Sequence, residues 1–310
     1  MEGDILRWIQ EWLHGCSQRV VLNGQKSRVV SVSSGVPQGS VLGPVLFSVF
    51  INDIDEGLSS RILKFADDTK IYLDMKDENS HRTLQEDLNT LCQWSQTWQM
   101  LFNPNKCTVL HFGYNNLNYD YQMDGVNIKE VEEQKDLGII LHKSLKPSQQ
   151  CIAAAKKGNK ILGMIKRNIH NKSLKILKAL YRQLVRPHLE YAIQAWRPWM
   201  KKDISLLEKV QRRATKMVRG FEGLTYEQRL RRWHLLPLER RQERGDVIQS
   251  FRMIKEIDKV QHPFQMLEQR HGTRGHSLKL QQQFSQLDIR KLFFLKEQIS
   301  HSMLPRGEAA

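Results

Sequence analysis

Near Lys143 the 310-residue chain changes both its periodicity and its charge, and this double change limits what it can fold into. Before it, short apolar runs of period two alternate with helical stretches; after it, every patterned stretch repeats at the helical 3.6. Residues 1–142 hold 12 Lys and Arg against 19 Asp and Glu, a net of −7, whereas residues 143–310 hold 36 against 14, a net of +22. The expected fold class is α+β: an antiparallel sheet backed by helices over 1–142, then an all-helical basic domain over 143–310. An acidic half able to hold cations, joined to a strongly basic half, suggests a polyanionic partner. Composition alone favours the plainer reading of a well-solvated basic helical surface.

Four scattered cysteines (Cys16, Cys92, Cys107, Cys151) form no CxxC pair, and the eleven histidines show no paired spacing. Both facts argue against a disulfide framework or a zinc site. No stretch approaches the roughly 18 apolar residues of a membrane span, and the first residues lack a signal-peptide pattern. An intracellular protein of the nucleus or cytoplasm, with no membrane partner, is expected.

Ile5, Trp8, Ile9, Trp12 and Leu13 have helical spacing. Residues 19–33 alternate as a hairpin around Asn23-Gly24, a strong two-residue turn signal. A glycine-rich run at 34–39 leads into a largely buried helix over 41–54. Two apolar strands, 62–66 and 70–73, meet at Asp67-Asp68. A helix over 82–100 carries the stripe Leu84, Leu88, Leu91, Trp94 and Trp98. Short strands follow at 107–112, 119–123 and 137–141, with a turn at Asp124-Gly125. The basic half reads as helices over 152–169, 174–196, 204–219, 226–233 and 238–257. Asp203 is expected as an N-cap, Gly220 as a stop, and Pro187 as a kink or end. Beyond Gln261 the chain is polar and irregular except for a helical stretch at 287–299.

Two adjacent carboxylates between apolar strands are unusual, because like charges in a tight turn repel. A bound divalent cation removes the repulsion, and phosphoryl-transfer enzymes use two metals about 4 Å apart to activate a hydroxyl and hold a leaving group. Successive strand residues face opposite ways, so the two carboxylates are not expected to bind metal equally. Taken alone, an Asp-Asp turn is more often just solvated.

The neighbouring motifs tip the balance the other way. Phe65-Ala-Asp-Asp68 follows, by about thirty residues, the run Ser34-Gly-Val-Pro-Gln-Gly-Ser-Val-Leu-Gly-Pro-Val-Leu-Phe47. The pair closely resembles the reverse transcriptases of non-LTR, LINE-type retrotransposons, particularly jockey-like ones. Asn103-Pro-Asn-Lys106 is similar to that family's next motif, and Asp136-Leu-Gly-Ile-Ile-Leu141 to its primer-gripping hairpin. The match runs on through Ala179-Leu-Tyr-Arg-Gln-Leu-Val-Arg-Pro-His-Leu-Glu-Tyr191 and Leu207-Glu-Lys-Val-Gln-Arg-Arg-Ala-Thr-Lys216 and covers nearly the whole chain.

The resemblance implies a polymerase palm over 1–142 and a thumb-like domain over 143–310, with RNA template, DNA primer and deoxynucleoside triphosphates as partners. It makes Asp67 a direct ligand of catalytic Mg2+ (or Mn2+) and Asp68 a supporting one. It puts Gly35, Pro37, Gln38 and Gly39 in the pocket for the template base and incoming nucleotide, where glycines permit close backbone approach. Without the Asp pair the same glycines would read as a simple turn before a helix. The resemblance also places Lys106 near the pyrophosphate, where an ammonium can stabilise the leaving group. Residues 137–141 would support the primer end, although by composition they are core strand.

In the basic half, Lys209, Arg212, Arg213 and Lys216 fall at helical spacing opposite Ile204, Leu207, Val210 and Met217, one cationic face against one apolar face. Lys156, Lys157 and Lys160, and likewise Arg240, Arg241 and Arg244, make similar clusters. A solvated helix explains any one of these; several beside a palm make a nucleic-acid track the better reading. Trp196 and Trp199 are expected in core or interface packing rather than on bases.

The family's palm carries one more aspartate on a strand upstream of the first helix, and here Met1 follows where that strand should end. Fingers, the first catalytic strand and the facing carboxylate are therefore expected to be missing, leaving too few ligands for two metals. An N-terminally truncated enzyme, inactive in isolation, is the expectation. A non-catalytic nucleic-acid-binding remnant or a decayed element fragment are the alternatives.

Overall fold

The structure is a computed structural model that describes residues 3–75, 79–113 and 116–258. Those of residues 1–109 and 117–129 form one compact unit, and those of residues 110–116 and 130–258 a second. The helical stretch expected at 287–299 lies outside the described residues.

In the first unit, α1 (Asp4–Leu13) stacks Trp8 on Trp12 one turn apart, with ring centroids 6.2 Å apart. A ribbon follows: β1 (Ser17–Gln18), β2 (Val21–Leu22), β3 (Gln25–Lys26) and β4 (Val30–Ser31), with β2 on β3 and β1 on β4. Its tip is Asn23-Gly24, both at positive φ (49° and 80°), the turn whose twist matches paired strands. Helix α2 (Leu42–Phe50) begins where the Ser40 hydroxyl accepts from the Gly43 amide at 3.0 Å. Then come β5 (Arg61–Phe65) and β6 (Asp68–Tyr72), paired antiparallel from Arg61↔Tyr72 to Phe65↔Asp68.

Helix α3 (Ser80–Thr97) backs this hairpin. Leu88, Leu91 and Cys92 on it bury against Ile54, Tyr121, Met123 and Ile128, with Ile62 and Ile71 of the hairpin packed on the edge of that cluster. The unit closes with β7 (Thr108–Val109), then β8 (Gln122–Met123) and β9 (Val126–Asn127), which pair around Asp124-Gly125. Strand β10 is Lys129–Glu130.

The second unit opens with β11 (Glu133–Asp136) and β12 (Ile139–His142), paired from Glu133↔His142 to Asp136↔Ile139. Leu137 and Gly138 are its turn, at φ 44° and 85°, not the start of a strand as the sequence suggested. The charged run Glu133-Gln-Lys-Asp136 carries no apolar alternation, so its strand was invisible to a period-two reading.

Helices follow: α4 (Ser148–Asn168), α5 (Leu174–Leu180), a π turn (Tyr181–Val185), α6 (Arg186–Glu190), α7 (Ile193–Trp196), α8 (Lys201–Thr215), α9 (Tyr226–Trp233) and α10 (Leu238–Ile254). Pro187, which has no N–H to give, sits in the first turn of α6, and just before it the Arg186 amide bonds to Tyr181 in the wider π register. Asp203 is not the N-cap of α8. Met200 is, and the buried Asp203 carboxylate instead accepts from the Ser148 hydroxyl at 2.7 Å. Gly220 (φ 82°) lies five residues past the end of α8.

The core of this unit joins Cys151, Leu162 and Ile165 to Tyr181, Val185, Leu189, Leu207, Val210 and Trp233. Helices α4 and α8 approach closely at Gly158, where an added Cβ would lie 3.1 Å from Val210 Cγ1. Gln211, wholly buried, accepts from the Tyr181 hydroxyl at 2.6 Å and donates to Tyr226 Oη at 3.0 Å and to the Leu236 carbonyl at 3.1 Å. Glu208 completes this network, accepting from the Tyr226 hydroxyl on one oxygen and from the Leu238 amide on the other at 2.9 Å. A buried amide and a half-buried carboxylate, hydrogen-bonded to one another's neighbours, fix how four helical segments meet. No helix among the described residues is long and apolar enough to cross a membrane.

Candidate active site

The acidic pair stands at the tip of the β5–β6 hairpin. The two-residue turn is Ala66-Asp67, because Phe65 pairs with Asp68. Ala66 takes φ 51°, a left-handed conformation that glycine adopts freely and that costs another residue about 1 kcal/mol or more. Asp67 and Asp68 are both solvent-exposed. Oxygen-only donors of this kind suit a hard divalent cation such as Mg2+. Among the described residues no group of three His, Cys, Asp or Glu side chains gathers in a way that would hold a metal. The pair offers carboxylate oxygens of the kind a hard cation takes, without a third such group gathered beside it among the described residues.

Gly35, Pro37, Gln38 and Gly39 lie together on one exposed loop between β4 and α2. Gly35 and Gly39 have φ 86° and 85°, and an added Cβ on either would meet nothing within 4 Å, so their demand for glycine is conformational. Lys106 ends a short 3-10 turn (Pro104–Lys106) opened by Asn103, whose side chain accepts from the Asn105 amide at 3.2 Å, and it is exposed.

Two residues that motif reading passed over secure the hairpin. The buried carboxylate of Asp87 on α3 accepts from the Ser59 and Ser60 amides at 3.0 and 2.7 Å, just ahead of β5. Lys64, the last residue but one of β5, sends its ammonium to the end of α2, donating to Asn52 O at 3.0 Å, Asp55 Oδ1 at 2.7 Å and, more weakly, Ile51 O at 3.5 Å. That hydrogen bond holds the Asp55 carboxyl below the usual range. Nothing in the spacing marks Asp87. Lys64, three residues before Asp67, could have been found only by asking where a strand lysine beside a carboxylate pair sends its charge.

In the second unit Lys209, Arg212, Arg213 and Lys216 are all exposed, while Leu207, Val210 and Ala214 on the other face of α8 are buried. Arg212 stacks over the Tyr226 ring at 4.7 Å, and Arg213 donates to Asn159 Oδ1 on α4 at 2.9 Å, between the exposed Lys156 and Lys160. Helix α4 contains no acidic residue, and both acidic residues of α8, Asp203 and Glu208, turn inward to hydrogen-bond partners. The Arg240, Arg241 and Arg244 cluster is weaker than its sequence suggests, since Arg241 is taken up by a bidentate pair with Glu190 at 2.6 and 3.0 Å. Trp196 is buried, with its indole on the Tyr191 carbonyl at 2.8 Å. At the β11–β12 tip, the Tyr191 hydroxyl donates to Leu137 O at 3.0 Å.

Comparison with known proteins agrees with the motifs. The family model for reverse transcriptase (RNA-dependent DNA polymerase) matches residues 2–165. The RNA-directed DNA polymerase from mobile element jockey of Drosophila melanogaster is 27% identical over 286 residues, which cover 87% of this chain and 29% of that protein. A probable RNA-directed DNA polymerase from transposon BS of the same fly is 29% identical over 200 residues, 60% of this chain and 22% of that protein. The jockey polymerase of Drosophila funebris is 27% identical over 250 residues, covering 74% and 26%. The chain thus spans less than a third of the length of each of these relatives. With a family model matched over more than half its residues, the chain belongs to the reverse transcriptase family, among those of non-LTR, LINE-type retrotransposons.

Proposed function

We propose that residues 1–142 are the palm of an RNA-directed DNA polymerase and the residues from 143 onward its thumb, and that the Asp67–Asp68 tip is the metal-holding part of the palm. The observation that carries this is two exposed carboxylates on a turn strained at Ala66.

Asp67 and Asp68 would hold Mg2+ or Mn2+, which when bound lowers the barrier to attack by a primer 3′ hydroxyl on a nucleotide α-phosphate. The residues of this chain do the rest. Gly35, Pro37, Gln38 and Gly39 would offer a loop with no side-chain bulk at its glycines to the base and sugar of the deoxynucleoside triphosphate. Lys106 would donate to the departing pyrophosphate. The β11–β12 hairpin would hold the primer end, and Lys209, Arg212, Arg213 and Lys216 would meet backbone phosphates of RNA template and DNA primer. Such interactions are independent of sequence and sensitive to salt.

Because the described residues supply a pair of metal ligands and no third beside them, nucleic-acid binding without polymerisation is the second reading for these 310 residues on their own. Both are tested together. Purified chain, a primed RNA template and either metal should give salt-dependent binding and no incorporation. Charge reversal at Arg212, Arg213 and Lys216 should weaken binding and reduce its salt slope by about one for each phosphate no longer neutralised. Incorporation by the chain unaided would overturn the incomplete ligand set, and binding unchanged by charge reversal would overturn the track.

A further inference from the structure

Lys64 is a cation three residues from the carboxylate pair, yet its ammonium turns away from the tip. Its three donors go to acceptors from one short stretch, Ile51, Asn52 and Asp55, where α2 ends, and its side chain is only 25% exposed. These acceptors belong to the C-cap residue Ile51 and the turn just past it, so the ammonium adds donors to the chain leaving α2 and places a positive charge by the helix's negative dipole end. The other end of the same helix is where the 34–39 loop enters, fixed by Ser40 on the Gly43 amide. Helix α2 is only nine residues long, a rigid rod of about 14 Å. Lys64 therefore ties the strand that presents Asp67 to the rod that presents the glycine-rich loop.

Asp55 lies within the tie, and the same region is stitched to α3 by the Trp94 indole on Asp53 Oδ1 at 3.0 Å. Along β5 the clamp falls on the residue paired with Thr69, one step behind the tip. The free tip is left only Phe65, Ala66 and Asp67 before the chain returns.

We infer that Lys64 is a positioning residue: by clamping β5 to the C-terminus of α2 it sets the hairpin carrying Asp67 and Asp68 against the helix that carries the 34–39 loop. Where it concerns metal, this rests on the proposed role of the Asp pair; the clamp itself does not. A merely electrostatic role would act in the opposite sense, since removing a cation near a metal site strengthens binding of Mn2+.

Hydrogen exchange on the full chain tests the clamp, with Lys64→Met keeping the stem, Lys64→Arg keeping the charge, and Asp55→Asn weakening the tie without touching β5. Lys64→Met should speed exchange about tenfold in peptides over 61–72 and 42–52 while leaving those over 148–168 unchanged. Lys64→Arg should restore most of the protection, and Asp55→Asn should give a smaller loss in the same two segments. Unchanged exchange over 61–72 in both Lys64→Met and Asp55→Asn would overturn the inference. So would faster exchange confined to 42–52. Mn2+ titration, read by water-proton relaxation, adds the sign. Affinity severalfold lower in Lys64→Met and recovered in Lys64→Arg supports positioning; higher affinity in Lys64→Met would contradict it. If the parent chain binds no Mn2+ at all, the metal role of the Asp pair fails while the exchange arm still decides the clamp.

Discussion

The two hairpins at the heart of this chain have the same length of turn and opposite treatment. At the β11–β12 tip both turn residues, Leu137 and Gly138, are left-handed, the conformation that suits strand twist, and Tyr191 braces the turn by a hydrogen bond and by a ring carbon 3.3 Å from where a Gly138 Cβ would be. At the β5–β6 tip the left-handed residue is an alanine, and the Asp67 and Asp68 side chains stand in solvent. The units around them differ likewise. The second buries a continuous core with Trp233, Val185 and Leu189 sealed from water, whereas the first keeps Val41 90% and Phe65 61% exposed around a smaller cluster. Both tips reach solvent and each holds a non-glycine residue at positive φ; the β11–β12 turn is braced by Tyr191, and the β5–β6 turn carries the acidic pair.

Core truncation is the strongest way to break the comparison. Trp233→Ala should cost the second unit about 3–5 kcal/mol, since surrounding helices locked by the Gln211 network cannot collapse into the hole. Leu91→Ala in the looser first unit should fall nearer to about 2 kcal/mol. Denaturant unfolding followed by exchange in each unit measures both, and equal costs would erase the distinction. Next in size, Asp87→Ala leaves the Ser59 and Ser60 amides without their acceptor and should destabilise the first unit by about 2 kcal/mol, with protection lost first over 61–72. Ala66→Gly should stabilise the β5–β6 hairpin by about 1 kcal/mol, read as slower exchange there. A destabilising Ala66→Gly would mean that the tip is not strained.

Near neutral pH the smallest effect is at Cys151, whose thiol is pushed up to about 12 by burial and by the nearby Asp203 charge. The native state holds this proton more tightly than the unfolded chain, so its contribution is fully present below the ordinary value of 9.0 and fades as pH rises from there toward 12. At pH 8 Cys151 should resist alkylation while half-buried Cys16 reacts, and mass mapping of iodoacetamide adducts checks the order.

How much of this was legible in sequence varied with the kind of force involved. Helix α9 runs over the residues its periodicity marked, 226–233, because Thr225 and Gln228 form a reciprocal capping box that fixes its start. The β5–β6 hairpin was plain as an element, but the chain turns at Ala66-Asp67, one residue earlier than the Asp67-Asp68 turn expected, and Asp68 already pairs in β6. The interrupted helix over 174–196 was half visible: Pro187 announced a break, but the π turn depends on which carbonyl the freed amides find. Asp203 looked like a cap and became a buried partner of Ser148, a choice made by tertiary packing that no local pattern records. The clamps made by Lys64 and Asp87 were hidden for the same reason, joining residues 9 to 28 positions apart.

The most direct measurement joins the matching upstream part of the jockey polymerase to Met1 and follows RNA-templated primer extension with Mg2+. The chimaera should extend the primer, and Asp67→Asn should lower the rate by about a thousandfold or more while leaving template binding unchanged. Extension by the Asp67→Asn chimaera at the parent rate would contradict the assignment of the acidic tip as the metal-holding part of the enzyme.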